Sequence, residues 1–108
     1  MKLVIAITQD EDTANLVSKL TEEGFRVTKL ASTGGFLKSG NTTLLIGVDD
    51  DKVEELVKAI EKVCRPREIT TSAPSMPMVE DTYMPYPYNI KVGGATVFIL
   101  DVDRYERI

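Results

Sequence analysis

The chain alternates between apolar runs and polar punctuation, and the runs have two different periods. Residues 2 to 8, KLVIAIT, form a continuous β-branched apolar run of the kind found in a strand buried on both faces. QDED follows as a helix start: Asp10 is placed to cap, with Glu11 and Asp12 favourable near the positive end of the helix dipole. Ala14, Leu16, Val17 and Leu20 make an apolar stripe, and Gly24 stands where a left-handed residue closes a helix. A second strand is expected from Phe25 to about Ser32, and a third, TTLLIGV, from about Asn41 to Val48.

DDDKVEELVKAIEKVC is the clearest helix. Val53, Leu56, Val57, Ile60 and Val63 fall on one face, Asp51 and Glu54 have capping-box spacing, and Pro66 ends the element. The stretch from about 65 to 89 reads as a long irregular loop, with a short strand conceivable within REITTSA. It holds all five prolines, yet Tyr83, Tyr86, Tyr88 and three methionines set it apart from a bland polar linker. It reads either as a segment that orders against a partner or ligand, or as a mobile loop with incidental aromatics. NIKV, a Gly93-Gly94 turn and ATVFILDV close the pattern.

Strand, helix, strand, strand, helix, strand is the β-α-β-β-α-β order of a ferredoxin-like α+β sheet with two helices on one face. Because the first and last strands are apolar on both faces, a single copy leaves a broad apolar sheet face wet. That face calls for closed homo-oligomerisation.

Composition narrows the function. With 108 residues, 43% hydrophobic and 28% charged, the chain has the profile of one globular domain, and no run approaches a membrane span. A net charge of −4 argues against binding a nucleic-acid polymer but leaves room for a small anionic ligand. The single cysteine, Cys64, suits a reducing cytoplasm and reads as a structural thiol. There is no histidine and no HExxH, GxSxG or Walker sequence, so the expectation is a protein that is not an enzyme and carries no metal or other cofactor. The acidic run 49 to 51 reads as a solvated helix start.

The loop ASTGGFLKSGNTT concentrates the candidate chemistry. Arg26, Thr28 and backbone N–H groups freed by Gly34-Gly35 suit phosphate oxygens. Phe36 offers a stacking surface for a purine, and Asn41 matches the donor–acceptor edge of an adenine. Gly47 would let a flat base approach the strand. Plainer readings stand beside these: the glycine pair as turn chemistry, Phe36 and Leu37 folded over the core or closing an oligomer, and Arg26 as an ordinary strand charge.

LASTGGFLKSGNTTLLIGV and MPYPYNIKVGGATVFILDVDRYE, with KLVIAITQDED and GFRVTKL, closely resemble the PII-like cyclic di-AMP receptor family, bacterial signal-transduction proteins of the cytoplasm. The likeness spans nearly the whole chain, and TGGF, GNTT and VGGATVF are its most specific motifs. It implies one PII-like domain over 1–108, a homotrimer, and cyclic di-AMP held in clefts between subunits. It also implies a short loop at 33–41 and a long one at about 65–89, which is the reverse of typical PII proteins. By matched motif, Arg26 and Thr28 lie near phosphate or base, Gly35, Phe36 and Leu37 wrap the ligand, and Asn41 bonds an adenine. Gly47 supplies backbone contacts, and Gly93, Gly94 and Ala95 complete the cleft. The chain departs from the family at PSMPMVEDT, where a Pro-Met-Gly-Gly stretch is common. Its ending, DRYERI, also diverges and carries no implied ligand role. The downstream protein target is unknown. The alternatives are an ATP/ADP-sensing PII-type regulator and a nucleotide-independent assembly module.

Overall fold

A computed structural model describes residues 1–30, 40–72 and 87–108, with the side chains of 71, 72, 87 and 88 left aside. The elements run β1 (Lys2–Gln9), α1 (Asp10–Glu22), β2 (Arg26–Leu30), β3 (Asn41–Val48), a short 3-10 turn (Asp50–Lys52), α2 (Val53–Cys64), β4 (Arg67–Ser72), β5 (Pro87–Val92) and β6 (Ala95–Asp101). Four strands make one antiparallel sheet in the order β2-β3-β1-β6, while β4 and β5 pair separately as a two-stranded ribbon. Two helices on an antiparallel sheet of this order are compatible with the expected ferredoxin-like arrangement.

Period-two alternation decides which residues meet the helices. Val4 and Ala6 of β1 and Leu44 and Ile46 of β3 are fully buried against Leu16 and Leu20 of α1 and Leu56 of α2, in a single cluster. Both helices therefore cover the same sheet face. The opposite face carries Ile5, Leu45 and Phe98, which lie side by side across three strands. It remains open in one chain: Phe98 is 52% exposed and Leu100 44% exposed.

The short strand allowed within REITTSA is present as β4, at 67–72. Several expectations need correction. The segment read as irregular to 89 becomes strand again at 87–92, and Pro87 occupies the first position of β5, where a missing N–H costs least. Asp10 is the first residue of α1, Gln9 holds the cap position, and no side chain caps it. The Asp51–Glu54 capping box does not form either: Asp51 belongs to the 3-10 turn, and α2 begins at Val53 uncapped. In α1, Ala14 is exposed, whereas Asp12 and Thr13 are buried. Gly24 does adopt the left-handed conformation, at φ +89°.

Leu56→Ala is expected to cost about 2–5 kcal/mol of unfolding free energy, because it opens a cavity between α2 and the sheet. Urea denaturation followed by circular dichroism measures this directly.

Candidate functional site

The register shows which candidate residues share a face. Arg26 lies opposite Gly47, and Thr28 opposite Leu45, so both β2 residues point away from the helices with Asn41 and Gly47. Arg26 and Thr28 are exposed, and Arg26 makes no salt bridge among the described residues. Gly47 has an ordinary backbone conformation, and a Cβ built there would meet nothing within 4 Å. Among the described residues, therefore, nothing demands a glycine at 47. It leaves a shallow space directly beside a cation.

Asn41 stands at the far end of β3, six residues or roughly 20 Å along the strand from Gly47. It is half-buried where the hairpin meets α1: the Asp10 N–H donates to the Gly40 carbonyl at 2.8 Å, and the Thr42 hydroxyl donates to Asp10 Oδ1 at 2.5 Å. These bonds satisfy one of the orphan donors at the start of α1 and fix where the loop re-enters the sheet. Gly35, Phe36 and Leu37 lie outside the described residues, as do Tyr83 and Tyr86.

The Gly93-Gly94 turn is held tightly. Both glycines have left-handed φ, +92° and +88°. A Cβ on Gly93 would stand 2.4 Å from the Arg65 carbonyl oxygen and 2.7 Å from the Arg67 guanidinium. The Gly93 N–H donates to Gln9 Oε1 at 2.8 Å, and the Gly94 N–H donates to the Cys64 carbonyl at the end of α2. Both amide donors of the turn are thus used inside the chain, and what the turn offers a ligand is shape and carbonyl oxygen.

Arg67, the first residue of β4, anchors this junction. Its guanidinium donates to both oxygens of Asp12, at 2.7 and 3.3 Å, and to the Arg65 carbonyl at 3.1 Å. The hydrogen bond to Asp12 raises the Arg67 pKa above its usual value, and the bidentate fork explains how a carboxylate tolerates burial in α1. Burial, with the neighbouring Asp12 charge adding to it, pushes the Cys64 thiol up to about 11.

The candidates consequently form two groups within one chain. Arg26 and Gly47 line a cavity of about 420 Å³, which Tyr105 and Arg107 also border. Asn41, Gly93, Gly94 and Ala95 line another of about 280 Å³, together with Gln9. Thr28 lies on β2 between them. Gln9 and Arg67 were not singled out in the sequence, where each reads as a generic polar residue near an element end, and Asp12 was read only as a helix-start charge. Among the described residues, no group of three or more acidic or cysteine side chains is arranged to hold a metal, and no helix is long and apolar enough to cross a membrane.

A small antiparallel α+β protein with an open apolar sheet face, and a cation beside an unfilled glycine on that face, defines a candidate small-ligand binding module. The chain matches the model of the cyclic-di-AMP receptor family over residues 1–108 and belongs to that family. Among solved structures it is similar to the crystal structure of a functionally unknown protein from Pediococcus pentosaceus ATCC 25745. The two share 43% identity with a TM-score of 0.78, and the match covers 99% of this chain and 96% of that one.

Three expectations follow from the junction. Gly94→Ala should cost about 1–2 kcal/mol through its backbone conformation alone. Gly93→Ala should lower the melting temperature clearly more, because its methyl would press on a backbone oxygen. Cys64 should react with a disulfide reagent at pH 8 only as the protein unfolds, so labelling should track the urea transition.

Proposed function

We propose that this protein is a non-enzymatic cyclic di-AMP sensor of the bacterial cytoplasm, a PII-like domain that works as a homotrimer. The observation that carries the reading is Gly47: its open side beside the exposed Arg26 is filled by nothing among the described residues, and the chain belongs to a receptor family for this dinucleotide. A cyclic dinucleotide brings two phosphates and two purines. Arg26 and Thr28 answer the phosphate, and Gly47 admits a flat base against the strand.

The separation of the two candidate groups favours clefts between subunits. One chain sets Arg26 and Asn41 at opposite ends of the sheet, so a neighbouring copy can bring the end of one β3 near the turn of another. The exposed face bearing Phe98 and Leu100 supplies the apolar surface for that association. Gly35, Phe36 and Leu37 would close over the bound nucleotide, with Phe36 against a base. Ligand would then shift the loops toward an ordered state that a target protein distinguishes.

Calorimetric titration with cyclic di-AMP, ATP and ADP tests the reading. Cyclic di-AMP should bind and raise the melting temperature by mass action, while ATP and ADP do so weakly. Phe36→Ala and Asn41→Ala should each weaken binding with the oligomer intact by light scattering. Gly47→Val should preserve the fold, since its side chain enters open space, yet abolish binding. Phe98→Glu should shift the oligomer toward monomer. Unchanged cyclic di-AMP affinity in the Phe36, Asn41 and Gly47 variants would sink the site, and preferential binding of ATP or ADP would replace the ligand.

A further inference from the structure

Gln9 is the last residue of β1, and its Cα faces that of Asn41 across the sheet. Alternation along β1 puts it on the open face, in line with Leu3, Ile5 and Ile7, where a carboxamide interrupts an apolar row. It is half-buried and lines the 280 Å³ cavity with Asn41, Gly93, Gly94, Ala95 and Thr96. Two carboxamides therefore stand side by side at one end of the sheet.

They are not equivalent, because the orientation of Gln9 is fixed. The Gly93 N–H can only donate, so the 2.8 Å contact requires Oε1, not Nε2, on that side. Nor can Gly93 drift away, since it is wedged against the Arg65 carbonyl and Arg67 and its partner Gly94 is tied to Cys64. Flipping the carboxamide would set donor against donor. Gln9 thus presents Nε2, with two N–H groups that have no hydrogen-bond partner among the described residues, beside Asn41.

We propose that Gln9 is a specificity-determining residue of the cyclic di-AMP site, its Nε2 donating to the N1 acceptor of an adenine while Asn41 accepts from the exocyclic amine. The proposal rests on the functional reading above and adds the chemistry that selects the base. Guanine reverses that edge, carrying N1–H where adenine has a bare nitrogen and a carbonyl where adenine has an amine. A carboxamide that could rotate would adapt to either base; one pinned by Gly93 cannot.

Cyclic di-AMP and cyclic di-GMP titrated into wild type, Gln9→Glu and Gln9→Met decide the matter. Glu keeps an acceptor for Gly93 but replaces the Nε2 donors with a second acceptor. Gln9→Glu should weaken cyclic di-AMP about tenfold and narrow or invert the preference over cyclic di-GMP, with the melting temperature of the free protein within about 2 °C of wild type. Gln9→Met should weaken cyclic di-AMP and leave cyclic di-GMP unchanged. A cyclic dinucleotide built on 1-deazaadenine, which lacks the acceptor, should lose about the same tenfold on wild type and needs no variant to fold. Equal loss of both dinucleotides alongside a fallen melting temperature would make Gln9 merely structural and overturn the proposal. So would unchanged selectivity in the variants with full affinity for the deaza ligand. Failure of wild type to bind cyclic di-AMP at all would remove the functional reading itself, which is a different result from a Gln9 variant that binds like wild type.

Discussion

Both helices pack on the same face of the four-stranded sheet, and the rest of this structure follows from that arrangement. The covered face is closed by Val4, Ala6, Leu44 and Ile46 against Leu16, Leu20 and Leu56, all without solvent contact. The other face is nearly as apolar, with Ile5, Leu45 and Phe98 adjacent in register, but nothing in the described chain lies over it. Burying such a surface is worth about 25 cal/mol for each Å² removed from water, a standing drive toward association. The candidate ligand residues are on this same face. A binding site built there would share its walls with whatever covers the sheet, and occupancy and assembly would be linked.

The sequence exposed the covered half of the molecule well, because helical and strand periods are local signals. Val53, Leu56 and Ile60 are buried as their spacing requires, and Val57 and Val63 pack at the margin of the core. The open face was legible too, from the double-sided apolar pattern of ATVFILDV. The β4–β5 ribbon was legible only in part: a strand within REITTSA could be read, but its pairing could not. That pairing joins Arg67 to Val92 across a long intervening segment, so no local period marks it. The helix starts failed for a related reason: Asp10 is drawn off by the Thr42 hydroxyl, a partner 32 residues away that no local motif announces.

For the site, residue type was readable but placement was not. Arg26, Thr28, Asn41 and Gly47 do share the outward face, which alternation along β2 and β3 already implied. Their division into two groups depends on strand register and could be seen only with the sheet assembled. Gly93 and Gly94 show the limit of motif reasoning. A glycine pair in a ligand-lining sequence suggests open amides, yet here both are consumed, and Gly93 is a glycine because Arg65 and Arg67 leave no room for a Cβ. Gly47 is the reverse case: among the described residues, nothing stands where a larger side chain would go.

That contrast bears on how the site could report occupancy. The rigid glycine turn is clamped to α2 by Gly94, to α1 through the Arg67–Asp12 fork, and to β1 through Gln9, while Arg67 also begins the ribbon that leads into the longer loop. A ligand touching this turn would act on a junction of four elements with little freedom to yield. The ribbon itself is open to solvent at its Ile69–Ile90 pair, so the junction is the point at which it is tied to the helices and the larger sheet.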